Sequence, residues 1–451
     1  MSLKPEIGQP MERNASALML STMAGAALGL AFWLVAARTY RPADVGRASA
    51  EISAMTLLAS LSQLNLINVF PRFLPNAGHR TKRVVVAGYS AAIAVAFVVA
   101  TCFVLAGAGD AYLVHRFAPA LIFVGSVVCW TIFTIQDAAL TGLRGTVWIP
   151  VENISFSVAK IGLLFIFGVL IPASGIFAAW MLPVVCASIP VNVYLFRRLV
   201  PREIARSDGR SNLPSRRAIG MFVAGEYVGS VAQNATTMLL PLIVVARLGA
   251  AATAYFYTSW IVAVSFDQLL SNIAVSFIVE GSSQPSHAKL LARRAAGLST
   301  AVVIPGVVVV VATAPFLLGM LGHGYAVHGT LLLRLVAISM PFRAIVVMFL
   351  ALARLVRRVR RLVLIQLLDA TMVVGLTIPL LGHFGIAGAG LAYLGTHILL
   401  GIILLPSVLR QYRLLGSWRP RPEGSADLPD AVHAVGCSPL TGSGRAIGRA
   451  V

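Results

Sequence analysis

The chain has 451 residues, of which 58% are hydrophobic and 12% are charged, and its mean hydropathy is +0.85. This composition lies outside the range of soluble domains and predicts an integral membrane protein. The formal net charge is +20. Because the basic residues fall in short segments beside apolar runs, we expect them to orient the protein in a membrane and not to bind nucleic acid.

Apolar stretches long enough to cross a hydrocarbon core of about 30 Å follow one another along the chain. We predict about twelve transmembrane helices, and therefore an all-α integral membrane fold with both chain ends on one side of the membrane. The predicted spans are residues 15–37, 50–71, 84–107, 117–141, 152–172, 175–197, 219–246, 254–279, 297–321, 329–353, 362–382 and 386–409.

The connectors between these spans are alternately rich and poor in Lys and Arg, a pattern that sets the orientation of membrane proteins. With the N-terminus in the cytoplasm, 29 of the 36 basic residues lie in inside segments and five lie in outside segments. We therefore predict a multi-pass protein of the cytoplasmic membrane with cytoplasmic N- and C-termini. Its Arg- and Ala-rich usage indicates a bacterial source.

The longest connector is polar and basic, and it divides the chain into two halves of six spans each. Sliding the sequence by 209 residues superimposes Val35, Ala37 and Arg38 on Val244, Ala246 and Arg247, which indicates pseudo-symmetric six-helix bundles, a common plan among transporters. The predicted segments are a cytoplasmic N-terminus at 1–14, a first lobe at 15–197, a basic cytoplasmic linker at 198–218, a second lobe at 219–409 and a disordered cytoplasmic tail at 410–451.

Three segments resemble one family of membrane proteins. The run WLVAARTYRPADVGRASAEISAMTLLASLSQLNLINVFPRFLP resembles the opening helix pair of the Wzx-type flippases of the multidrug/oligosaccharidyl-lipid/polysaccharide (MOP) superfamily. VARLGAAATAYFYTSWIVAVSF resembles the start of their second bundle, and DAALTGLRGTVWIPVENISFSVAKIGLLF is similar to their fourth and fifth helices. The resemblance implies two six-helix lobes in a V around a central cavity, which export a lipid-linked oligosaccharide or polysaccharide precursor by alternating access.

Charged residues inside the spans are candidates for binding such a substrate, because a charge facing lipid costs at least about 2.5–3.5 kcal/mol at mid-membrane. A lipid diphosphate needs compensating cations. Asp137 and Lys160 lie on adjacent predicted helices, so they either form a structural ion pair or line the cavity. Gln63 and Asn272 either bind sugar hydroxyls or join helices by hydrogen bonds. The substrate candidates are Lys160, Arg334, Arg343, Asp137, Gln63 and Asn272.

Acidic residues of the second lobe are candidates for ion coupling, because carboxylates with neighbouring polar oxygens suit sodium or a proton relay. Glu226 and Gln233 share one face of the seventh span, Asp369 lies on the eleventh, and Asp267 is a further candidate. The related lipid II flippases use their seventh and eleventh helices for sodium, so the resemblance implies a sodium site at Glu226 and Asp369. Buried structural acids are the alternative interpretation.

The sequence contains no GxxxxGK[ST] phosphate loop and no HExxH metal motif, so we predict no cofactor and no enzymatic activity. The expected partners are a lipid-linked glycan, Na⁺ or H⁺, and membrane lipids. A drug/cation antiporter like the MATE proteins is the first alternative, and a polyprenyl-sugar glycosyltransferase or polymerase is the second.

Overall fold

We analysed a computed structural model, which describes residues 25, 27–107, 117–145, 148–206, 213, 216–283, 287–356 and 359–415. Nearly all of these residues are helical. Short 3-10 and π segments follow α3 and α7. The α-helices are α1 (Ala27–Thr39), α2 (Pro42–Ser62), α3 (Leu66–Phe73), α4 (Thr81–Leu105), α5 (Phe117–Gly142), α6 (Trp148–Leu170), α7 (Gly175–Tyr194), α8 (Val200–Arg206), α9 (Arg216–Ser283), α10 (Ala288–Gly319), α11 (His323–Leu355), α12 (Val359–Phe384) and α13 (Ile386–Leu414).

Nine helices of the described chain are long and apolar enough to cross a membrane, judged by length and composition, and the bent pair α2–α3 adds a tenth. The helix α9 contributes two crossings, because Gly249 interrupts it with φ 82° and ψ 176°. Trp260 Nε1 donates a hydrogen bond to Thr237 O at 3.2 Å, although 23 residues of straight helix would span about 35 Å. The two arms of α9, residues 216–248 and 250–283, are therefore antiparallel and correspond to two predicted spans. Of the first predicted span, 15–37, the described residues contain only the shorter apolar helix α1.

The turns that open each lobe are shorter than the sequence suggested. The predicted spans leave residues 38–49 and 247–253 as connectors, but only Tyr40 and Arg41 separate α1 from α2, and Gly249 is the only non-helical residue within α9. Pro42 favours an early helix start because its ring fixes φ and it needs no hydrogen-bond partner at the first helical position. Tyr40 and Gly249 are 209 residues apart, so both lobes turn at the same position of the sequence repeat.

The second predicted span is not one continuous helix. Its helix starts at Pro42 instead of residue 50, and it breaks between Ser62 and Leu66, where α2 and α3 meet at a 45° bend. Leu64 and Asn65 have φ values of 49° and 60°, a left-handed conformation that Asn tolerates and Leu rarely adopts. The continuous hydropathy of the segment gave no sign of this break.

The two lobes contact each other near both membrane ends. Toward the predicted outer end, Arg38 donates to Met320 O, and Gly46 packs so closely on Ala250 that a Cβ atom at Gly46 would overlap the Ala250 carbonyl oxygen. Nearer the predicted inner end, Tyr227 on α9 donates to Leu61 O on α2 at 2.5 Å. One buried apolar cluster runs from α1, α2, α5 and α7 into α9, α10 and α11, so the lobes share part of their core.

The predicted linker at 198–218 begins as helix. A π segment at Leu195–Leu199 extends α7, and α8 follows it with Glu203 buried. The last helix continues to Leu414, beyond the predicted boundary at residue 409. The predicted N-terminal segment 1–14 and the residues after 415 lie outside the described part of the chain.

Candidate functional site

The largest group of interacting charges in the described chain lies inside the second lobe. Arg343 on α11 is 5% exposed and donates through Nε to Asp267 Oδ1 at 2.7 Å, and through an Nη nitrogen to Asp369 Oδ2 at 2.8 Å. Asp267 belongs to the second arm of α9 and Asp369 to α12. One guanidinium therefore joins three helices, using the fork geometry that suits Arg to carboxylates.

A histidine that the sequence analysis did not single out completes this cluster. His397 on α13 is fully buried, and its Nδ1 lies 2.7 Å from Tyr393 O. A carbonyl oxygen only accepts a hydrogen bond, so Nδ1 carries a hydrogen. In a neutral ring, Nε2 is then the nitrogen without a hydrogen. Nε2 is 3.4 Å from both an Arg343 Nη nitrogen and Asp369 Oδ1. Asp369 Oδ1 has no hydrogen-bond partner among the described residues.

A small cavity adjoins the charged cluster. It opens between both arms of α9 and helices α11, α12 and α13. The nearby bond from Trp260 to Thr237 O has a local cause: Pro241, four residues later, has no N–H to offer that carbonyl. The cavity is lined by Thr236, Thr237, Trp260, Val264, Asp267, Arg343, Asp369 and Tyr393.

The predicted sodium pair of Glu226 and Asp369 stays a prediction, because the side chains of Glu226 and Gln233 lie outside those described. Their helices do touch, since a Cβ at Gly229 on α9 would overlap Gln366 on α12. Thr236 and Asp369 line the same cavity, so the two helices run parallel. Glu226 precedes Thr236 by ten residues, about 15 Å of helix, and its backbone therefore lies well away from the cavity.

Lys160 lies in an aromatic cage in the first lobe. Its Nζ is 4.0 Å from the ring centre of Trp180, 4.6 Å from that of Phe156 and 5.1 Å from that of Phe32. Lys160 is only 4% exposed, and stacking on aromatic faces is one way to hold a desolvated cation. The ring of Trp33 packs against Phe32 and Trp180 of this cage and lies 4.6 Å from the ring of Tyr257 on α9. The cage therefore borders the second lobe.

The Asp137–Lys160 ion pair, one of the two interpretations of these residues, is wrong. Asp137 accepts a hydrogen bond from Asn153 Nδ2 at 3.3 Å. Asn153 precedes Lys160 by seven residues, so the two differ by about 10 Å along α6. The helix spacing therefore places Lys160 too far along α6 to reach Asp137.

The carboxyl of Asp137 belongs to a polar group between α5 and α6. Gln136 donates through Nε2 to Glu152 Oε1. These two residues immediately precede Asp137 and Asn153, so the two hydrogen bonds lie side by side. Asn192 on α7 in turn donates to Gln136 Oε1 at 2.5 Å. Glu152 was not predicted as a site residue, because the fifth span was expected to start there. The helix starts four residues earlier and buries it.

The remaining predicted substrate residues make hydrogen bonds within their own lobes. Gln63, at the break after α2, donates to Thr134 Oγ1 on α5 at 2.9 Å. Asn272 accepts from Gln268, one turn earlier on α9, at 3.3 Å. Both contacts fit the interpretation of polar residues that connect or stabilise helices. Neither side chain contacts another predicted substrate residue through the recorded hydrogen bonds.

Arg334 satisfies a carbonyl group that a proline leaves unpaired. Its Nε donates to Val311 O on α10 at 3.0 Å. In a regular helix that oxygen would accept from the N–H of residue 315, but Pro315 has none. The contact therefore gives Arg334 a structural role at the proline of the neighbouring helix.

We expect Arg334→Met to lower the free energy of unfolding by about 1–3 kcal/mol, because it leaves the partly buried Val311 O without a partner in an apolar segment. The loss should shrink when Pro315→Ala restores the backbone N–H, so the two changes should be non-additive. Detergent-based unfolding of the two single variants and the double variant measures this coupling. Equal losses in both backgrounds would show that Arg334 acts elsewhere.

Comparisons of sequence found no matching protein-family model and no matching curated protein. The structure, in contrast, resembles solved transporters. An inward-facing multidrug resistance MATE family transporter of the MOP superfamily superposes with a TM-score of 0.66 at 12% identity, covering 88% of this chain and 96% of that chain. Lipid II flippase MurJ, in an inward closed conformation, gives 0.65 at 12% identity with coverages of 89% and 90%. This chain has the same fold as these transporters.

A MOP superfamily transporter from Pyrococcus furiosus has a similar fold as well, with a TM-score of 0.61, 12% identity and coverages of 89% and 95%. At this level of identity the likeness shows the fold alone. The predicted all-α membrane fold in two bundles is confirmed. The more specific resemblance to Wzx-type flippases stays a prediction.

Proposed function

We propose that this protein exports a lipid-linked oligosaccharide or polysaccharide precursor across the cytoplasmic membrane by alternating access, with both termini in the cytoplasm. The MOP fold supports a transporter, and one of the proteins that share it is named as a lipid II flippase. The basic segments predicted to be inside support the orientation.

The interlobe contacts near the two predicted membrane ends are suited to alternating access. Near the predicted outer end the lobes meet through Gly46 and Ala250, and nearer the inner end through Tyr227 and Leu61. Leu61 O can accept this bond because the break after α2 places Asn65 in a left-handed conformation. In a continuous helix, the Asn65 N–H would donate to Leu61 O. Each end can then open by losing few hydrogen bonds while the lobes stay folded.

The position of Lys160, in a cage without a carboxylate partner, is the observation that carries the choice of cargo. No carboxylate of the described chain pairs with Lys160, whereas Arg343 is bound by two carboxylates and Arg334 by a carbonyl. Separation of Trp33 from Tyr257 would uncover the cage toward the space between the lobes. An uncompensated cation at that place favours an anionic cargo such as a diphosphate.

The charged cluster of the second lobe is the candidate for ion coupling. A sodium ion or proton that binds Asp267 or Asp369 competes with Arg343 for the same oxygens, so it would loosen the joint between α9, α11 and α12. Glu226 and Gln233, on the first arm of α9, are further candidates for a path to this site. Coupling then follows from a difference in cation affinity between the two conformations.

One observation favours a drug/cation antiporter instead. The rings of Phe32, Phe156 and Trp180 form a surface that binds organic cations well. In the present structure Lys160 fills that surface, and its charge repels a second cation. An antiporter would therefore need Lys160 to leave the cage or to lose its proton.

Translocation in proteoliposomes tests the proposal. The protein is reconstituted with a fluorescent polyprenyl-diphosphate sugar, and an impermeant quencher reports how much lipid has crossed. We expect Lys160→Ala to slow translocation about tenfold or more, since a hydrogen bond to a charged group contributes about 1.5–3 kcal/mol. Lys160→Arg should retain most of the rate.

Lys289→Ala is the matched control, because Lys289 also faces an aromatic ring, that of Tyr412, but lies on α10 at the predicted inner end. Its rate should equal that of the wild type. Translocation that is unaffected by Lys160→Ala removes Lys160 from the mechanism. Absence of any lipid translocation, together with uptake of an organic cation such as ethidium, would establish the antiporter instead.

A further inference from the structure

The first lobe contains a group of unpaired oxygen atoms that the proposed transport cycle does not use. Five of the first lobe's buried oxygens that have no hydrogen-bond partner among the described residues belong to side chains of α4, α5, α6 and α7. We call these residues the first-lobe oxygen cluster: Tyr89 Oη, Asp137 Oδ1, Glu152 Oε2, Ser188 Oγ and Asn192 Oδ1.

Recorded interactions connect the members of this cluster. Gln136 links Glu152 to Asn192. Ser188 lies one turn before Asn192 on α7, and Asn192 Nδ2 donates to the backbone carbonyl of Ser188 at 2.8 Å. Tyr89 interacts electrostatically with both Asp137 and Glu152. The cluster is therefore one site formed by four helices and not a series of separate defects.

The cluster carries two carboxyl groups and no neutralising partner. Among the described residues no Lys, Arg or His forms an ion pair with Asp137 or Glu152. Glu152 is 6% exposed and Tyr89 is 7% exposed. Asp137 is partly buried, with its Oδ1 enclosed. Two neighbouring carboxylates in such surroundings are unfavourable unless a positive charge accompanies them.

Amide groups fix one oxygen of each carboxyl and leave the other one free. Gln136 holds Glu152 through Oε1, and Asn153 holds Asp137 through Oδ2. Glu152 Oε2 and Asp137 Oδ1 remain unpaired. Outer hydrogen bonds that orient the ligand groups in this way are typical of metal sites.

We propose that the first-lobe oxygen cluster binds one hard metal cation, of the class of Na⁺ or Ca²⁺. Carboxylate, amide and hydroxyl oxygens are the ligands that such ions prefer, and one ion accepts several of them. A single proton would join only two of the five oxygens. Glu152 lies four residues after the start of α6 and Asp137 five before the end of α5, so the site is close to the predicted inner surface.

The test is direct binding to the purified full-length protein in detergent, which requires no cargo and is independent of the flippase proposal. Equilibrium binding of ²²Na⁺ and of ⁴⁵Ca²⁺ distinguishes the two ions, with choline as the ionic-strength control. We expect saturable binding of one ion per chain and a rise in Tm of about 3 °C at saturation.

Glu152→Gln and Asp137→Asn should each weaken the binding about tenfold or more. Tyr89→Phe removes one oxygen and keeps the ring packing, so it tests the site even if the acid variants fold poorly. Glu51→Gln is the matched control, since Glu51 is an acid of the first lobe on α2, outside the cluster. Its affinity should be unchanged.

Three outcomes would overturn the proposal. The first is the absence of saturable binding of either ion. The second is binding that survives Glu152→Gln and Tyr89→Phe but is lost in Asp369→Asn, which would place the ion in the second lobe. The third is stability that responds to pH alone and not to either metal.

Discussion

Replacing Arg343 with Met is expected to lower the free energy of unfolding by about 3–5 kcal/mol, the range observed when one partner of a buried ion pair is removed. Arg343 binds Asp267 and Asp369 at 2.7 and 2.8 Å. Without the guanidinium, two carboxylates on different helices, one buried and one partly buried, would lose their counter-charge and would repel each other. SDS-induced unfolding in mixed micelles measures the change.

Two further variants test that explanation. Arg343→Met combined with Asp267→Asn and Asp369→Asn removes the uncompensated charges and should recover part of the lost stability. Arg247→Met is the matched control: Arg247 is exposed in the same lobe, so its replacement should change stability by less than about 0.5 kcal/mol. Equal stability of Arg343→Met and the wild type would show that the cluster is solvated and not a structural joint.

Gly46→Ala is expected to separate the lobes at the predicted outer end and to reduce transport about tenfold or more. The new methyl group would overlap the carbonyl oxygen of Ala250, and backbone cannot move aside as a flexible side chain can. The closed outer end then becomes strained, which shifts the population toward an outer-open state. Transport needs both states, so its rate falls.

Spin labels at Ala43 and Ala251, both exposed beside this contact, measure the separation. We expect their distance distribution to lengthen by several ångströms in Gly46→Ala. Gly125→Ala is the matched control, because no atom lies within 4 Å of a Cβ at Gly125. An unchanged distance distribution together with an unchanged transport rate would mean that α2 accommodates the methyl group without moving the lobes.

The candidate site could be predicted only in part. Arg343, Asp267 and Asp369 were each identified as intramembrane charges, but as substrate and ion residues on different helices, and their joining by one guanidinium was not predicted. His397 was missed, although the sequence places a histidine within the predicted apolar span 386–409. Glu152 was missed because the helix start was placed four residues too late.

The pairing of donors with freed carbonyls is another feature that sequence could not supply. Pro241 and Pro315 each indicate that the carbonyl four residues earlier lacks its usual helical N–H partner. The sequence does not say which side chain will fill the gap, because Trp260 and Arg334 reach Thr237 and Val311 only through tertiary packing.

The sequence by itself was enough for the all-helical membrane class and for the positions of most long apolar helices, because hydropathy is summed over long windows and acts through the bilayer. The 209-residue repeat and the charge pattern supplied the predicted two lobes and the predicted orientation. Only the tertiary structure decided which charges neutralise each other and which do not. Asp137 contacts Asn153 on α6, and Lys160 lies seven residues further along that helix. Which residues of two neighbouring helices meet depends on their register and packing, and hydropathy and charge patterns do not specify these.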